Sequence, residues 1–258
     1  MFVHNINPIF FTVGPISVRY YGLVYFLGFL FLYFYLRHIA KKGYIKNFNA
    51  DSVDSLVLYL IIGVVLGARI FEFLFYSPQA FLHDPLEFFR VWDGGMSYHG
   101  GLAGALVAGW WFSKRHKVNF EKIGDVTIIP ALFFLAIGRI ANFINGELPG
   151  KVTNVSWCVV FPGYEGCRHP YVLYASLKNF IVFGVALFLK KLRLKDGLLL
   201  WWSVLLYNAL RFFVDFTKDA PTFIGLHMGQ FLCIAFTALS VYFILKINKK
   251  KASSSKTI

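Results

Sequence analysis

The sequence predicts an all-α polytopic membrane protein with seven transmembrane helices and a small extracytoplasmic head. Apolar residues occupy 57% of the 258 positions and charged residues only 15%, whereas a soluble domain carries about a quarter charged residues. The apolar residues fall into long runs that match the thickness of a bilayer. Because a helix satisfies its own backbone hydrogen bonds in lipid, runs of this length predict helices. We therefore expect a single integral membrane domain over residues 1–258.

The predicted elements follow the chain in the order of its apolar runs. Residues 1–19 hold two prolines and no signal-peptide core, so they are expected to form an interfacial lead-in. The predicted spans then cover residues 20–36, 53–76, 97–112, 123–144, 171–189, 197–216 and 226–245. In the third span, small residues recur four positions apart, as at Gly100, Gly104 and Ala108. This pattern lets helix backbones approach closely in lipid.

Three polar segments complete the predicted domain. Residues 77–95 contain two prolines and the turn sequence Asp-Gly-Gly, so we expect a periplasmic arm with a short helix. Residues 145–170 are rich in glycine, proline and charge and are expected to form the periplasmic head. Residues 246–258 are basic and serine-rich, and we expect a disordered cytoplasmic tail.

The positions of the basic residues predict the orientation of the spans. Segments after the first, third and fifth spans, together with the tail, hold seventeen Lys and Arg, and the opposite segments hold five. By the positive-inside rule, the N-terminus lies outside the cytoplasmic (inner) membrane and the C-terminus is cytoplasmic. The net charge of +13 is therefore mainly a topology signal, and nucleic acid is excluded as a partner.

The stretch from Gly138 to Glu147 closes the fourth predicted span with polar residues. Arg139, Asn142 and Asn145 are spaced three apart and share one flank of a helix, which Gly146 is expected to end. One interpretation is an Arg139 side chain that snorkels to the interface. The alternative is a functional site, because ionisable groups inside a span are usually functional. A guanidinium at headgroup depth suits the phosphate of a lipid.

Other polar residues in the spans allow both structural and functional interpretations. His99 precedes two glycines that leave room for a ligand, so it is either a structural histidine or a general base. Arg69 and Glu72 are three apart, and Arg211 and Asp215 are four apart. Both pairs are compatible with intrahelical ion pairs. Arg211 is also available as a second guanidinium for a phosphate.

The remaining candidates are weaker on sequence alone. Lys178 is expected to snorkel or to pair across the bundle, and Tyr21 fits the ordinary aromatic belt. Cys158 and Cys167 lie in the predicted head and form either a disulfide or two free thiols. The sequence contains no metal-ligand spacing, no Ser-His-Asp triad and no cysteine nucleophile, so we expect neither a metal nor another cofactor.

Several motifs resemble those of the bacterial prolipoprotein diacylglyceryl transferases. The two long motifs are specific, and the shorter ones are weak individually but occur in family order over nearly the whole chain. The matching stretches are Gly138-Arg139-Ile140-Ala141-Asn142-Phe143-Ile144-Asn145-Gly146-Glu147, Phe89-Arg90-Val91-Trp92-Asp93-Gly94-Gly95-Met96-Ser97-Tyr98-His99-Gly100-Gly101, Gly14-Pro15 with Tyr21-Gly22, Gly67-Ala68-Arg69-Ile70, Arg168-His169-Pro170 and Met228-Gly229-Gln230.

The resemblance implies a transfer of diacylglycerol from phosphatidylglycerol, a membrane lipid, to the lipobox cysteine thiol in the signal peptide of a preprolipoprotein. A thioether forms and glycerol phosphate leaves, as the first step of lipoprotein maturation. It also implies catalytic roles for His99 as base, for Arg139 and Arg211 on the phosphate, and for Tyr21. The implied substrate-binding residues are Arg69, Arg139, Asn142, Asn145, Gly146, Glu147 and Arg211, in a site towards the outer face.

The chain departs from the family pattern after its His-Pro motif. Where the family usually reads Ser-Gln-Leu-Tyr-Glu, this chain has Tyr171-Val172-Leu173-Tyr174-Ala175. Asp215 stands at a usual glutamate, and Lys218 stands where arginine is common. These departures leave open a diverged paralogue. A lipid transporter or flippase with a charged outer-leaflet cavity is a further alternative, although such folds usually contain internal repeats or broken helices, and neither is visible in the sequence.

Overall fold

The computed structural model describes residues 2–13, 16–91 and 94–254, which are mainly helical. The helices in chain order are α1 (Tyr20–Lys41), α2 (Ala50–Phe71), α3 (Pro78–His83), α4 (Tyr98–His116), α5 (Phe120–Ile144), α6 (Tyr171–Lys191), α7 (Leu198–Val214) and α8 (Met228–Ser254). The strands are β1 (Phe2–Val3), β2 (Ile9–Val13), β3 (Ile16–Arg19), β4 (Val159–Val160), β5 (Thr222–Phe223) and β6 (Leu226–His227). All the described strands are short, and each pairs with a single partner.

Six helical segments of the described chain are long and apolar enough to cross a membrane. They are Tyr20–Lys41, Ala50–Tyr76, Phe120–Ile144, Tyr171–Lys191, Leu198–Thr217 and Met228–Lys249. Helix α4 corresponds to the third predicted span but is not among them. Its glycines and its basic end at Lys114-Arg115-His116 reduce its apolar character. The mainly helical architecture is thus confirmed with six candidate spans, and the seventh span stays a prediction.

The chain divides into two compact units, Met1–Leu32 with Thr127–Ile258, and Tyr33–Val126. In the second unit, α2 and α4 pack antiparallel along a seam of glycines. A Cβ added at Gly63 would lie 2.6 Å from the Cβ of Ala108 and 2.7 Å from the carbonyl oxygen of Gly104. Gly67 approaches Gly100 and Gly104 in the same way. The close approach predicted from the small residues of α4 is therefore confirmed.

The described part of the arm, in the second unit, contains short helical turns. A π-helical turn at Glu72–Tyr76 extends α2 up to the arm, and within the arm a 3₁₀ turn at Pro85–Phe89 follows α3. Asp84 caps this turn by accepting from the amide of Leu86 at 3.1 Å, and Arg90 Nη2 donates to Asp84 Oδ2 at 2.7 Å. The hydrogen bond from Arg90 lowers the pKa of the Asp84 carboxyl below its ordinary value. The predicted short helix is present, and its periplasmic location stays a prediction.

Polar contacts join neighbouring helices in the first unit. Ser176 Oγ of α6 donates to the carbonyl of Ala136 on α5 at 2.9 Å, and Asn179 Nδ2 donates to that of Leu135 at 2.9 Å. On the other side of the unit, Gln230 Nε2 of α8 donates to the carbonyl of Phe212 on α7 at 3.0 Å. In an apolar surrounding such bonds fix the register of helices that otherwise pack through similar apolar surfaces.

The lead-in and the head segment, residues 145–170, contain four of the described strands of the first unit, β1 to β4. β2 and β3 form an antiparallel hairpin, and β1 pairs in parallel with β4 of the head segment. Gly14 and Pro15, part of one family-like motif, lie outside the described residues, as do Trp92 and Asp93 of another. Cys158 and Cys167 form a disulfide with their Cα atoms 5.5 Å apart, which decides between the two alternatives for these cysteines.

The end of the chain differs from the sequence-based prediction. Leu226 and His227 belong to the hairpin of β5 and β6, which turns at Gly225 with φ +77°, so the last helix begins at Met228. This helix continues to Ser254, and the prediction of disorder from Lys246 onwards is wrong for residues 246–254. Lysine is a good helix former, so the basic segment extends a helix that is already nucleated. The rest of the predicted tail, residues 255–258, lies outside the described residues.

Candidate active site

The polar stretch at the end of α5 forms a tight turn, as its glycine predicts. The helix ends at Ile144, and Gly146 adopts φ +70°, which favours glycine. The amide of Gly146 donates to the carbonyl of Phe143 at 2.9 Å, and the amide of Glu147 donates to that of Asn142 at 3.0 Å. The turn brings the Glu147 side chain back towards the last turn of the helix.

A chain of hydrogen bonds links the predicted polar residues of this stretch. Arg139 Nη1 donates to Asn142 Oδ1 at 3.3 Å, and Asn142 Nδ2 donates to Glu147 Oε2 at 2.7 Å. Asn145 Nδ2 donates to the other carboxylate oxygen of Glu147 at 2.8 Å. The two amides therefore hold Glu147, and Asn142 bridges the Glu147 carboxylate and the Arg139 guanidinium.

His4 supports this turn, although nothing in the sequence drew attention to it. Its Nε2 donates to the carbonyl of Phe143 at 2.6 Å, and its side chain is buried. The imidazole packs edge-on against Phe143 and stacks on Phe161, with ring centroids 5.3 Å and 5.5 Å apart. A Cβ at Gly146 would lie 3.3 Å from His4 Cε1, so the N-terminal segment packs directly on the turn.

Arg139 and Arg211 line the same cavity, which α5, α6 and α7 enclose within the first unit. The empty volume of this cavity is about 180 Å³. Its lining residues are Arg139, Tyr171, Ala175, Lys178, Tyr207, Arg211, Val214 and Asp215. This volume is the sum of narrow gaps between the side chains and of open solvent, and it leaves no room for a water molecule. The lining side chains must therefore move apart before a ligand can enter.

Asp215 organises one wall of this cavity. Arg211 Nε donates to Asp215 Oδ2 at 3.4 Å, which confirms the intrahelical pair predicted from the spacing. The hydroxyl of Tyr171 donates to the second oxygen, Oδ1, at 2.7 Å. Asp215 is 1% exposed, so this carboxylate is fully enclosed between α6 and α7. Because a buried charge requires partners, the arrangement fixes the direction of the Arg211 guanidinium.

Lys178 was not predicted as part of the site, and it does not snorkel. The lysine is 4% exposed, and its Nζ lies 3.1 Å from the centroid of the Tyr207 ring. Tyr171, Ala175 and Lys178 are spaced at helical intervals on one stripe of α6, and Tyr207, Arg211 and Asp215 form a stripe on α7. The two stripes meet at the cavity, and this spacing was the available signal that Lys178 belongs to the site.

Tyr21 lies at the start of α1, in the same unit. Its ring centroid is 4.7 Å from that of Tyr25, one turn later. A Cβ added at Gly138 would lie 3.6 Å from Tyr25 Oη, so this part of α1 packs against the helix that carries Arg139. Tyr25 thus contacts α5 one residue before Arg139, the predicted phosphate ligand, and Tyr21 packs on Tyr25.

Arg69 and His99 belong to the other unit. Arg69 is 2% exposed and donates to the main-chain carbonyls of Phe88, Gly94 and Gly95 at 2.8, 2.6 and 3.1 Å, and also to that of Glu87. These bonds hold the arm in place, and a substrate contact of Arg69 stays a prediction. His99 is fully buried in the first turn of α4, with its ring edge-on to that of Tyr98 at 5.2 Å.

The described residues contain no group of three or more His, Cys, Asp and Glu side chains that could hold a metal ion. The chemistry of the cavity rests instead on guanidinium, ammonium, phenol and carboxylate groups. Groups of these types are chemically suited to bind an anion and to balance a change in its charge.

The chain is similar to known proteins over most of its length. A family profile described as prolipoprotein diacylglyceryl transferase matches residues 8–246. Proteins named phosphatidylglycerol–prolipoprotein diacylglyceryl transferase are similar over most of their length. The one from Geobacter sulfurreducens is 36% identical over 96% of this chain and 97% of its own, and the one from Rickettsia bellii is 38% identical over 94% and 95%. The Legionella pneumophila protein is 43% identical over 72% of this chain and 71% of its own. The chain therefore belongs to the prolipoprotein diacylglyceryl transferase family.

Proposed function

We propose that the protein transfers the diacylglyceryl group of phosphatidylglycerol to the lipobox cysteine thiol of preprolipoproteins. The products are a thioether-linked lipoprotein precursor and glycerol phosphate. Family membership and the names of the relatives support this activity. The single structural observation that carries it is the cavity shared by Arg139 and Arg211, because two guanidiniums form a suitable site for a phosphodiester.

The reaction is a substitution at carbon that the substrate thiol performs. The sulfur forms a bond to the terminal glycerol carbon of the diacylglyceryl group, and the bond from that carbon to the phosphate oxygen breaks. The electron pair of the broken bond stays on the oxygen, and glycerol phosphate leaves. A thiol has a pKa of about 8.5, so a base must take its proton for attack at neutral pH.

The reaction therefore requires that the leaving phosphate is stabilised and that the thiol proton is removed, and we assign the residues to these two tasks. Arg139 and Arg211 bind the phosphate and stabilise it as it leaves, and Asn142, Asn145, Gly146 and Glu147 hold Arg139 and the turn beside it. His99 takes the thiol proton, and Tyr21 shapes the lipid side of the site. Arg69 orders the arm through its carbonyl contacts and, with the arm, contributes to substrate binding.

The proposed topology has seven spans, with α4 as the third. Its antiparallel seam with α2, itself a candidate span, supports this assignment, as do the basic residues that follow it. The N-terminus, the arm and the head then lie outside the cytoplasmic membrane, and the tail is cytoplasmic. The disulfide in the head segment supports an oxidising compartment there.

The proposal is tested with purified protein, phosphatidylglycerol labelled in its acyl chains, and a peptide that carries a lipobox cysteine. We expect label on the peptide through a bond that hydroxylamine does not cleave, and free glycerol phosphate in equal amount. A peptide with serine in place of the cysteine is the matched control and should stay unlabelled. Lipid that crosses vesicle leaflets in the absence of any peptide product would instead favour the transporter alternative.

A further inference from the structure

The ammonium group of Lys178 is buried in the cavity without a hydrogen-bond partner among the residues that the structure describes. Its contact with the Tyr207 ring is a cation–π interaction, which contributes about 2 kcal/mol when desolvated. Burial of an isolated ammonium costs far more than this. The aromatic ring therefore does not offset the burial of a protonated Lys178, whereas an anion bound beside it in the cavity would.

The charges around Lys178 point to the same conclusion. The cavity is lined by three basic residues, Arg139, Lys178 and Arg211, but by a single carboxylate, Asp215. Both oxygens of that carboxylate already accept hydrogen bonds from Arg211 and Tyr171. Ala175, three residues before Lys178 on the same face of α6, brings no charge. With Lys178 protonated, the lining carries a net charge of +2.

A net charge of +2 matches the products of the proposed reaction better than its substrates. The phosphodiester of phosphatidylglycerol has one negative charge. When the carbon–oxygen bond breaks, the phosphate keeps the electron pair and becomes a monoester with a charge of about −1.5 to −2 at pH 7. A second negative charge therefore develops in the transition state, at the group that the cavity surrounds.

We infer that Lys178 is a further catalytic residue, which stabilises the negative charge that develops on the phosphate of the leaving glycerol phosphate. This inference rests on the proposed function. Two arginines suffice for the monoanionic substrate, and the lysine acts on the additional charge. An interaction that is stronger in the transition state than in the bound substrate raises kcat and leaves KM nearly unchanged.

The test compares Lys178→Met with Lys178→Arg in the labelled transfer assay. Methionine keeps an unbranched side chain without charge, and arginine keeps the charge. Removal of one preorganised donor from an oxyanion site lowers kcat about 10²–10³-fold. Because two arginines remain, we expect Lys178→Met to lower kcat about 10- to 100-fold with KM for phosphatidylglycerol within about threefold. Lys178→Arg should recover most of kcat.

Two controls separate this effect from a structural one. Lys191→Met, at the exposed end of the same helix, should transfer lipid like the wild type. The thermal unfolding midpoint of Lys178→Met should be equal to or higher than that of the wild type, because a buried charge is removed. A wild-type kcat in Lys178→Met, or a loss confined to KM, would overturn the inference and leave the proposed function intact. A wild-type protein that forms no labelled peptide would refute the proposed function itself.

A second variant keeps the lysine and changes its electrostatics. Ala175→Glu places a carboxylate one turn before Lys178, where it neutralises the ammonium and repels phosphate. We expect kcat to fall about as far as in Lys178→Met and the binding of free glycerol phosphate, measured by calorimetry, to weaken at least about tenfold. Ala175→Gln, of the same size and without charge, should keep most of both. Equal kcat and equal glycerol phosphate affinity in Ala175→Glu and Ala175→Gln would contradict the electrostatic role.

Discussion

The glycine seam between α2 and α4 should not tolerate an added side chain, and the distances across it indicate how much stability would be lost. A Cβ added at Gly104 would overlap the main chain of Gly63 and lie 3.2 Å from the Cα of Gly67. Backbone atoms cannot move aside as the tip of a side chain can, so we take the upper end of the overpacking range, about 3 kcal/mol. Alanine gains about 1 kcal/mol over glycine within a helix. Gly104→Ala should therefore destabilise the protein by about 2 kcal/mol.

The control is a glycine in a helix with open space around it. A Cβ at Gly184 of α6 would meet no atom within 4 Å, so Gly184→Ala should gain about 0.5–1 kcal/mol. Thermal unfolding in detergent, followed by circular dichroism, measures both variants. By the scaling for soluble chains of this length, Gly104→Ala should lower the midpoint by about 4–8 °C. Equal midpoints for the two variants would refute the close packing of α2 on α4.

Three further predictions concern the chemistry and the topology. Arg139→Lys keeps the charge but loses the planar fork, so transfer should fall at least about tenfold in a protein that unfolds at the wild-type temperature; transfer at the wild-type rate would exclude a bidentate role. His99→Gln cannot accept a proton, so transfer should fall at least about a hundredfold and recover partly at higher pH, where the thiol ionises without help; a small loss and an unchanged pH profile would leave His99 a structural role. A reporter that is active only in the periplasm should be silent when it is fused after Lys246, and activity there would overturn the seven-span topology.

Much of the helical framework was predictable because lipid imposes it on the sequence. Long uncharged runs have one inexpensive conformation in a bilayer, so six predicted spans recur as candidate spans. Gly146 ends α5 because its positive φ is unfavourable for other residues. The failure of the tail prediction has an equally local cause. Basic composition indicates where lipid ends, but it does not end a helix that is already formed.

The site was only partly predictable, because its residues come from different helices. Spacing alone indicates that Arg139, Asn142 and Asn145 share a flank, and it gives the pair of Arg211 with Asp215. It does not show that α5 and α7 direct their arginines into one cavity. Lys178 was visible as a lone lysine in an apolar run, but its neighbours are distant in sequence. The contact of His4 with the turn was not predictable, because its partner is a main-chain carbonyl 139 residues away.

In the proposed function, Arg139 and Arg211 together hold the phosphate of the donor lipid in a single cavity. The most direct test is an experimental structure of the protein with phosphatidylglycerol bound. We predict phosphate oxygens within about 2.7–2.9 Å of both guanidiniums, the distance of charge-assisted hydrogen bonds. A headgroup phosphate bound elsewhere, with the cavity of Arg139 and Arg211 empty, would contradict the account.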